Sequence, residues 1–534
     1  HPVAHSFPTR RSSDLTPGRL HVLSRSPLTG GLGDSSVGGR LGVVLKRAGY
    51  DAIRITGRAT RYAGIAVDAE GARLEDASAL AGAGCSAVFE ALARRPGRPS
   101  VACVGPAAEH GVRYAGIVVD RHHAAGRTGL GLCLAAKGVK YVAVTGKGRV
   151  PVADADGLKA AREDIVRLTN ASPVLTGQQG FGCFGTAALY DLMDARRMMP
   201  TDNFRATRFS HAPELGAHAF RQRHHPRSHG CAGCHILCKK IARDGRAMPE
   251  FETMSHFTAL VGNTDMEAVM AANAACNELG MDTISAASTL ACLRELRGED
   301  FAPGEMAALL ADIGAGRRPD LAGGAAALAE AAGRADLAMA VKGLELPAYD
   351  PRGAYGMALG YAVSPRGGCH LRAYPVSHEI LRKPVATDRF AFEGKARIIK
   401  LAEDQNAVVD SLTACTFTFL AAGVEEYARA LAAATGVEYT GHELLRAGGR
   451  IMLQERLLLA AAGFTAADDD LPPRFFTEPG TPGGDFPVPP IDRRAFLAAR
   501  ARYYRIRGLD EDGRPTPEAL AAAGLETDAP ENDA

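Results

Sequence analysis

The stretch Cys231-Ala-Gly-Cys234-His-Ile-Leu-Cys238 spaces three cysteines as C-x2-C-x3-C. A tight turn over these residues brings their sulfurs together around one metal centre. Three thiolates are one fewer than the usual four, and the best candidate for the fourth is Cys415, far along the chain. Three clustered cysteines and one remote cysteine are more typical of a [4Fe–4S] cluster than of structural zinc. The pattern therefore predicts a redox protein.

A zinc site is the alternative that this spacing leaves open, with His229 or His235 as the fourth ligand. The chain has 11 cysteines. An odd, clustered set favours reduced thiols and metal ligation in a cytoplasm over a disulfide framework. We interpret four of the others as ordinary buried thiols: Cys133, Cys276, Cys292 and Cys369.

Composition bounds the class of protein. A length of 534 residues predicts several domains, about three on the usual domain size. The formal net charge is +2, so neither nucleic acid nor a membrane surface is an expected partner. No apolar run reaches the roughly 20 residues that a transmembrane helix needs. We therefore expect a cytoplasmic protein.

Residues 1–15, HPVAHSFPTRRSSDL, have neither strand nor helix periodicity. They resemble translated sequencing-adapter sequence, and we exclude them from fold reasoning as a non-native segment. The chain begins with His1 rather than Met, so we expect the native protein to continue upstream and its first strands to be missing.

The remaining chain predicts an α+β fold of three domains. Residues 16–153 form a β-rich domain, with strands predicted at 21–24, 51–57, 63–69, 100–105, 114–120 and 140–146. Residues 154–345 are predicted to be helical, with one helix beginning after Asp265 and ending at Gly280. Residues 346–534 form a second helical domain, with helices near 396–422, carrying Cys415, and near 493–506.

Two glycine-rich segments of the β-rich domain let backbone N–H groups approach an anion: residues 26–39 and 125–131. Arg127 adds a bidentate phosphate contact. Neither segment is a dinucleotide fingerprint or a P-loop. Tight turns in a β domain are an equal alternative for either segment alone.

Two polar patterns are candidates for binding and proton transfer. Residues 277–282 and 410–415 share the pattern (D/N)-x-x-(G/T)-(M/A)-(D/C), and both lie near predicted helix ends. Polar side chains at two such helix ends could bind the two similar halves of one large ligand. Chance likeness between helix ends is the alternative. Glu252 and His370 lie in stretches that suit acid–base catalysis. Surface ion pairs or satisfied interior groups are the alternative there.

Together these residues resemble the aldehyde ferredoxin oxidoreductase family of tungsten enzymes. The resemblance runs from about Pro17 to residues 503–520. It rests on motifs in order: SPLTG…GD…GG, GYDAIRITG, DRHHAAGRTGLG, CAGCHILC, PEFET, CNELGMDTIS, YDPRGAYGMALGYAVSPRGGCHLRA and DSLTAC. The family implies a pterin-binding base domain and two helical domains, with the cofactor buried between them.

The resemblance also implies the ligands. The cofactors would be a [4Fe–4S] cluster and a tungsten (or molybdenum) bis-molybdopterin, with Mg²⁺ bridging the pterin phosphates. The cluster ligands would be Cys231, Cys234, Cys238 and Cys415. The pterin contacts would be Arg19, Ser36, Gly38, Ala125, Gly126, Arg127, Gly129, Asn277, Met281, Asp282, Arg372, Asp410 and Ala414.

Four positions depart from the family pattern. Ser36 and Asn277 stand where the family often has Asn and Asp, Thr413 stands for Gly, and Arg372 stands for Lys of some members. All but Thr413 keep hydrogen-bonding capacity. The ligands of a subunit-bridging metal have no counterpart that we can place, so none is predicted.

The family implies oxidation of an aldehyde to a carboxylic acid with ferredoxin as the electron acceptor. Glu252 would be the general base, and His370 would hydrogen-bond the substrate oxygen. A homodimer or an electron-transfer subunit is the expected assembly. Two alternatives stay open: a tungsten-pterin reductase such as a benzoyl-CoA reductase-type subunit, and a non-catalytic metal-binding or electron-transfer scaffold.

Overall fold

The computed structural model describes residues 18–483 and 487–525. The predicted non-native segment 1–15 lies outside these residues. In the part of the chain that is described, no helix has the length and apolar character needed to span a bilayer.

The N-terminal region contains a hairpin and a mixed six-stranded sheet. The hairpin pairs β1 (Leu20–Arg25) with β2 (Leu32–Val37). The sheet has the order β4-β3-β8-β5-β6-β7, in which only β3 and β8 are parallel neighbours. Its strands are β3 (Ala63–Asp68), β4 (Gly71–Asp76), β5 (Ser100–Cys103), β6 (Ile117–Val119), β7 (His123–Ala125) and β8 (Val139–Val144). Helices α1 (Leu41–Arg47), α2 (Cys85–Ala93), α3 (Pro106–Glu109) and α4 (Leu130–Ala136) complete this region, which confirms its predicted β-rich character.

The strand predicted at residues 51–57 is wrong. This segment belongs to no strand, although its isoleucines Ile53 and Ile55 are half-buried while the residues between and beside them are exposed. Both isoleucines pack against the main core. The alternation therefore reports which side of an extended chain faces the core, and it does not require a hydrogen-bonded neighbour.

The following region is mostly helical, as predicted. Its helices are α5 (Ala155–Asn170), α6 (Pro173–Thr176), α7 (Phe181–Phe184), α8 (Leu189–Ala195), α9 (Ala212–Leu215), α10 (Ala217–His224), α11 (Phe251–Ser255), α12 (Met266–Leu279), α13 (Thr283–Arg297), α14 (Glu305–Gly314) and α15 (Gly324–Ala331). Two short hairpins pair β9 (Arg227–His229) with β10 (Lys239–Ile241) and β11 (Ala340–Val341) with β12 (Leu344–Glu345). Asp265 caps α12, and Gly280, with φ 73°, ends it.

The C-terminal region is also mostly helical. Its helices are α16 (Tyr355–Val363), α17 (Val376–Glu379), α18 (Lys395–Ser411), α19 (Val424–Thr435), α20 (Gly441–Ala461), α21 (Arg474–Thr477), α22 (Arg493–Arg507) and α23 (Pro517–Ala522). The prediction that one helix spans 396–422 is wrong, because α18 ends at Ser411 and Cys415 lies beyond it. Thr413 has a left-handed φ of 51°, which an α-helix does not accommodate.

The largest hydrophobic core joins the sheet to the helices of both later regions. Val119 of β6, Leu130 of α4, Leu290 of α13 and Tyr361 of α16 are all buried within it. A separate cluster packs α5 against α18 and α19, through buried side chains that include Ile165, Val409 and Leu431.

Candidate cofactor and active site

The cysteine loop connects β9 to β10 and packs against the glycine-rich end of β2. The amide of Ala232 donates a hydrogen bond of 3.0 Å to the carbonyl oxygen of Gly39. A Cβ added at Gly38 would lie 2.4 Å from Sγ of Cys231, and one at Gly18 would lie 2.7 Å from Cβ of Cys231. Only glycine fits at these two positions, because the backbone approaches the cysteine so closely.

The structure brings the three clustered cysteines and Cys415 together. Burial, together with the neighbouring charges of Cys415 and Cys231, raises the pKa of Cys234 to about 11. Burial and Cys415 likewise raise the pKa of Cys238. These two thiols ionise only when a cation compensates their charge. Four thiols brought together suit a cluster in which each thiolate binds a different iron.

Arg19, the residue before β1, joins this group. Its Nη2 donates a hydrogen bond of 3.3 Å to Sγ of Cys415. Burial opposes the charge of the guanidinium, but the thiolates of Cys415 and Cys231 raise the pKa of Arg19 above its ordinary value. A fixed cation therefore lies against one thiol of the set.

The two histidines that would complete a zinc site have other neighbours. Nε2 of His235 is 2.7 Å from Oγ1 of Thr169. The ring of His229 packs edge-on against His122, with centroids 5.2 Å apart. Within residues 18–483 and 487–525, no group of three or more His, Cys, Asp or Glu side chains is arranged to hold a single metal ion, so neither the all-cysteine set nor a zinc set is preformed around one ion. The contacts of His229 and His235 are what weigh against the zinc alternative.

Arg127 connects the second glycine-rich loop to a helix end. Its Nη1 donates to Oδ2 of Asp282 at 2.8 Å, and its Nη2 donates to the carbonyl oxygens of Glu345 and Gly368 at 2.6 and 3.1 Å. Asp282 caps α13 by accepting from the amides of Ile284 and Ser285. Gly129 has φ 76°, and a Cβ there would lie 1.9 Å from the carbonyl oxygen of Arg113.

The other residues predicted to contact the pterin from this helix end and this loop are Met281, Asn277, Ala125 and Gly126. Met281 is buried and forms an isolated β-bridge with Ala115. The Asn277 side-chain amide donates to Oδ1 of Asn273 at 3.4 Å. Ala125 is fully buried, and the nearest neighbour of a Cβ built on Gly126 would be Oδ1 of Asp282, at 3.8 Å.

Arg372 lies within an acidic group at the other helix end. Its Nη2 is 2.7 Å from Oδ2 of Asp34 and 2.8 Å from Oε1 of Glu455, and its Nη1 is 3.2 Å from Oδ2 of Asp410. Arg366 also pairs with Asp34. Burial raises the pKa of Glu455 to about 7 and also raises that of Asp410. Each of the two polar helix ends therefore lies against one arginine.

Ser36 and Ala414 are placed by backbone contacts. Ser36 is half-buried and pairs with His21 across the β1–β2 hairpin. The amide of Ala414 donates to the carbonyl oxygen of Val409 at 3.0 Å. His21 in turn has its Nε2 3.9 Å from Oδ1 of Asp410, so the hairpin and the end of α18 lie together.

Glu252 and His370 form a close pair. Oε1 of Glu252 is 3.5 Å from Nε2 of His370, while its Oε2 accepts a hydrogen bond of 2.7 Å from the amide of Ala348. Burial raises the pKa of Glu252 to about 8. Burial, together with the charges of Arg127 and Arg366, lowers the pKa of His370 well below its ordinary value. Near pH 7 the proton therefore resides on the carboxyl group, a pattern typical of acid–base sites.

Sequence reasoning missed several residues of this group. Nε2 of His256 is 3.1 Å from the carbonyl oxygen of Leu346, and burial lowers its pKa to about 4. The ring of Tyr349 lies 5.3 Å from that of His370, and its hydroxyl is 3.2 Å from that of Tyr374. Tyr349 opens the motif YDPRGAYGMALGYAVSPRGGCHLRA, but nothing in the residue type or spacing of these three residues marks them as partners of His370. Asp34 and Glu455 were missed too, although Asp34 lies in the glycine-rich segment 26–39.

Two family models match this chain, one over the β-rich N-terminal region and one over the helical remainder. The family "Aldehyde ferredoxin oxidoreductase, N-terminal domain" matches residues 8–146, and "Aldehyde ferredoxin oxidoreductase, domains 2 & 3" matches residues 160–525. The chain belongs to the aldehyde ferredoxin oxidoreductase family. As a member of that family it is an oxidoreductase, and the predicted α+β fold is confirmed.

Two relatives of this member of the aldehyde ferredoxin oxidoreductase family carry tungsten in their names. The tungsten-containing aldehyde ferredoxin oxidoreductase of Pyrococcus furiosus is 36% identical over 97% of this chain and 89% of its own length. That of Thermococcus kodakarensis is 34% identical over the same shares. An aliphatic sulfonate oxidoreductase, WOR-like subunit, of P. furiosus is 26% identical over 95% of this chain and 85% of its own length.

A solved structure shares the fold of this family member. The active site complex BamBC of benzoyl coenzyme A reductase, bound to 1,5-dienoyl-CoA, has a TM-score of 0.78. Sequence identity is 20%, with coverage of 95% of this chain and 86% of that one. This likeness concerns the fold alone.

The residues of this aldehyde ferredoxin oxidoreductase family member fit a large anionic cofactor beside a cluster. Buried atoms without hydrogen-bond partners in the described structure include Oε1 of Glu252, Nδ1 of His256, and Nε of Arg366 and Arg372. Unpaired buried arginine nitrogens suit phosphate oxygens. The protonated, converging thiols suit iron.

Proposed function

We propose that this protein oxidises an aldehyde to a carboxylic acid in the cytoplasm and delivers the two electrons to a ferredoxin. The overall change is RCHO + H₂O → RCOOH + 2 H⁺ + 2 e⁻. The observation that carries the proposal is the Glu252–His370 pair, whose pKa values are shifted apart beside two arginine–aspartate contacts. A non-catalytic scaffold has no need of such a pair.

The cofactor assignment is part of this proposal. Arg127 with Asp282, and Arg372 with Asp410, would hold the two pterins, with Mg²⁺ between their phosphates. The four cysteines would hold a [4Fe–4S] cluster. When bound, the tungsten–pterin group supplies a Lewis acid for the carbonyl oxygen and a two-electron acceptor. The family relatives that are named for tungsten support tungsten over molybdenum.

The protein's own residues would manage the protons. Neutral His370 would hydrogen-bond the substrate oxygen. Glu252 would accept a proton at Oε1, which has no hydrogen-bond partner in the described structure and lies 3.5 Å from Nε2 of His370, while the amide of Ala348 holds Oε2 in position. The base must be ionised, so turnover should rise as the pH approaches its pKa.

The test is metal and pterin analysis of anaerobically purified protein, followed by an aldehyde panel with a viologen dye. Tungsten, pterin and about four irons per chain, with aldehyde-dependent dye reduction, are the expected results. Zinc without tungsten, molybdenum or pterin would contradict the proposed catalytic function. Turnover of a CoA thioester in place of any aldehyde would instead favour a benzoyl-CoA reductase-type reaction.

A further inference from the structure

A surface pocket of about 380 Å³ opens beside the cysteine loop. Gly230 and Ala232 line this pocket, together with residues that include His122, Phe89 and Pro99. Gly230 and Ala232 are the chain neighbours of Cys231. The pocket therefore lies directly beside the first proposed cluster ligand in the loop.

A second contact ties the pocket to the thiols. A Cβ built on Gly38 would lie 2.4 Å from Sγ of Cys231 and 3.0 Å from Nδ1 of His123. His123 lines the pocket. One glycine therefore touches both the cysteine and the pocket wall. Cys231 and Cys234 are themselves half-buried, and Gly233 between them is exposed, so this edge of the thiol set lies near the protein surface.

The pocket and its surroundings are positively charged. Arg40 and Arg121 line the pocket, and Arg227 lies close enough to its wall residue His122 to act on the charge of that ring. All three arginines are exposed, and none of them forms an ion pair with a carboxylate in the described residues. Burial and neighbouring cationic groups, among them Arg121 and Arg227, lower the pKa of His122 to about 4. The local field is therefore positive.

Two acidic groups near the pocket, Asp120 and Glu250, already have hydrogen-bond or ion-pair partners. Asp120 lines the pocket, but Oδ2 accepts 2.8 Å hydrogen bonds from the backbone amide of Arg40 and from Oγ of Ser100. Glu250 pairs with Lys239 at 2.9 Å. Nη2 of Arg40 donates to the carbonyl oxygen of Arg98 at 2.9 Å, a neutral partner, so all three arginines keep an uncompensated positive charge.

An apolar residue projects from the same loop. Leu237, between Cys234 and Cys238, is 37% exposed and has a left-handed φ of 51°. A leucine held exposed in this conformation, next to proposed cluster ligands, is more typical of a contact surface than of a packed loop. Phe89 adds apolar surface, and Arg121 lies over its ring at 5.7 Å.

We propose that Arg40, Arg121, Arg227, Leu237 and the pocket between them form a docking face for an acidic one-electron carrier protein. This inference rests on the proposed function, since it assigns the exit for the electrons of aldehyde oxidation. A basic rim with an apolar centre complements an acidic carrier. Association of two copies through this face would oppose like charges, which disfavours a self-complementary dimer.

The test compares a protein acceptor with a small dye. Arg121→Glu/Arg227→Glu should raise the KM for a purified acidic [4Fe–4S] ferredoxin about tenfold at low salt, because charge reversal mainly slows association. Its kcat with benzyl viologen and its iron content should stay at the wild-type level. The matched control is Arg446→Glu/Arg494→Glu, which reverses two exposed arginines of α20 and α22 and should leave both acceptors unaffected.

A binding measurement separates this inference from the proposed function. Calorimetry with oxidised ferredoxin needs no turnover and should give the same tenfold loss of affinity, shrinking as salt is raised. Equal loss with ferredoxin and viologen, unchanged ferredoxin binding, or a wild-type dimer that the double variant dissociates would each overturn the docking proposal. Absence of aldehyde-dependent viologen reduction in the wild type would instead contradict the proposed function.

Discussion

Nη2 of Arg19 donates a hydrogen bond of 3.3 Å to Sγ of Cys415, which lies 396 positions later in the chain. A cation beside a cluster ligand favours the more negative, reduced state of the cluster. We expect Arg19→Met to lower the cluster's midpoint potential by on the order of tens of millivolts. An EPR-monitored redox titration measures this shift.

The control for that titration is Arg25→Met at the far end of β1, where Nε of the exposed arginine donates to the carbonyl oxygen of Gly30. It should leave the potential unchanged. An unchanged potential in Arg19→Met, with full iron content, would contradict the electrostatic role.

Cys415→Ala should remove the iron–sulfur signal and most of the bound iron, because the cluster would lose one of its four thiolates. Iron analysis and low-temperature EPR of anaerobically purified protein report the loss. Cys133→Ala is the matched control, since Cys133 donates instead to the carbonyl oxygen of Arg25. Metal retained in full by Cys415→Ala would favour the zinc alternative with His229 or His235.

Glu252→Gln should lower kcat for aldehyde oxidation by about 10²- to 10⁴-fold while tungsten and iron contents stay constant. Wild-type turnover should rise with pH toward the pKa of Glu252, about 8, and the variant should lose this limb of the pH profile. Glu214→Gln, at an exposed site, should behave as wild type. Full activity in Glu252→Gln would exclude the carboxylate as the base.

The same carboxyl group predicts a pH-dependent stability of the cofactor-free protein. Burial raises the pKa of Glu252 from 4.5 to about 8, so the folded state binds this proton more tightly than the unfolded chain does. Its contribution is fully present below pH 4.5 and is lost as the pH rises through about 8. Between pH 5 and 8 the melting temperature should therefore fall by about 2 °C more in wild type than in Glu252→Gln. Parallel curves would contradict the raised pKa.

Arg127→Met should destabilise the cofactor-free protein by about 3 kcal/mol, because it leaves the buried Asp282 without its cationic partner. Thermal unfolding at a fixed scan rate measures the change. Arg317→Met, which breaks an exposed pair with Asp312, should cost about 1 kcal/mol or less. Equal losses in the two variants would show that Arg127 does not join the loop to α13.

Local patterns predicted most of the secondary structure that positions the site. Asp265 caps the start of α12 with its side chain, and Gly280 ends the helix in a left-handed conformation, as predicted. Alternating apolar residues correctly located five of the six predicted strands. Residues 51–57 failed because alternation records only which side faces the core. The end of α18 failed because the left-handed Thr413 has no reliable signal in a single sequence.

The sequence by itself determined the family and supplied the candidate site residues, because spacing and residue type are local properties. The sequence alone was enough to recognise the C-x2-C-x3-C loop, the glycine-rich segments and the stretches around Glu252 and His370. Only the tertiary structure decided which partners meet. Arg19 reaches Cys415, Arg127 reaches Asp282, and Arg372 joins Asp34 to Glu455.

Burial was also decided only by the tertiary structure. The opposite pKa shifts of Glu252 and His370 arise from desolvation by residues distant in sequence. The exposure of Leu237 and the unpaired arginines around the pocket likewise depend on what the fold leaves uncovered. Contacts and solvent access are sums over the whole chain, and no single motif contains them.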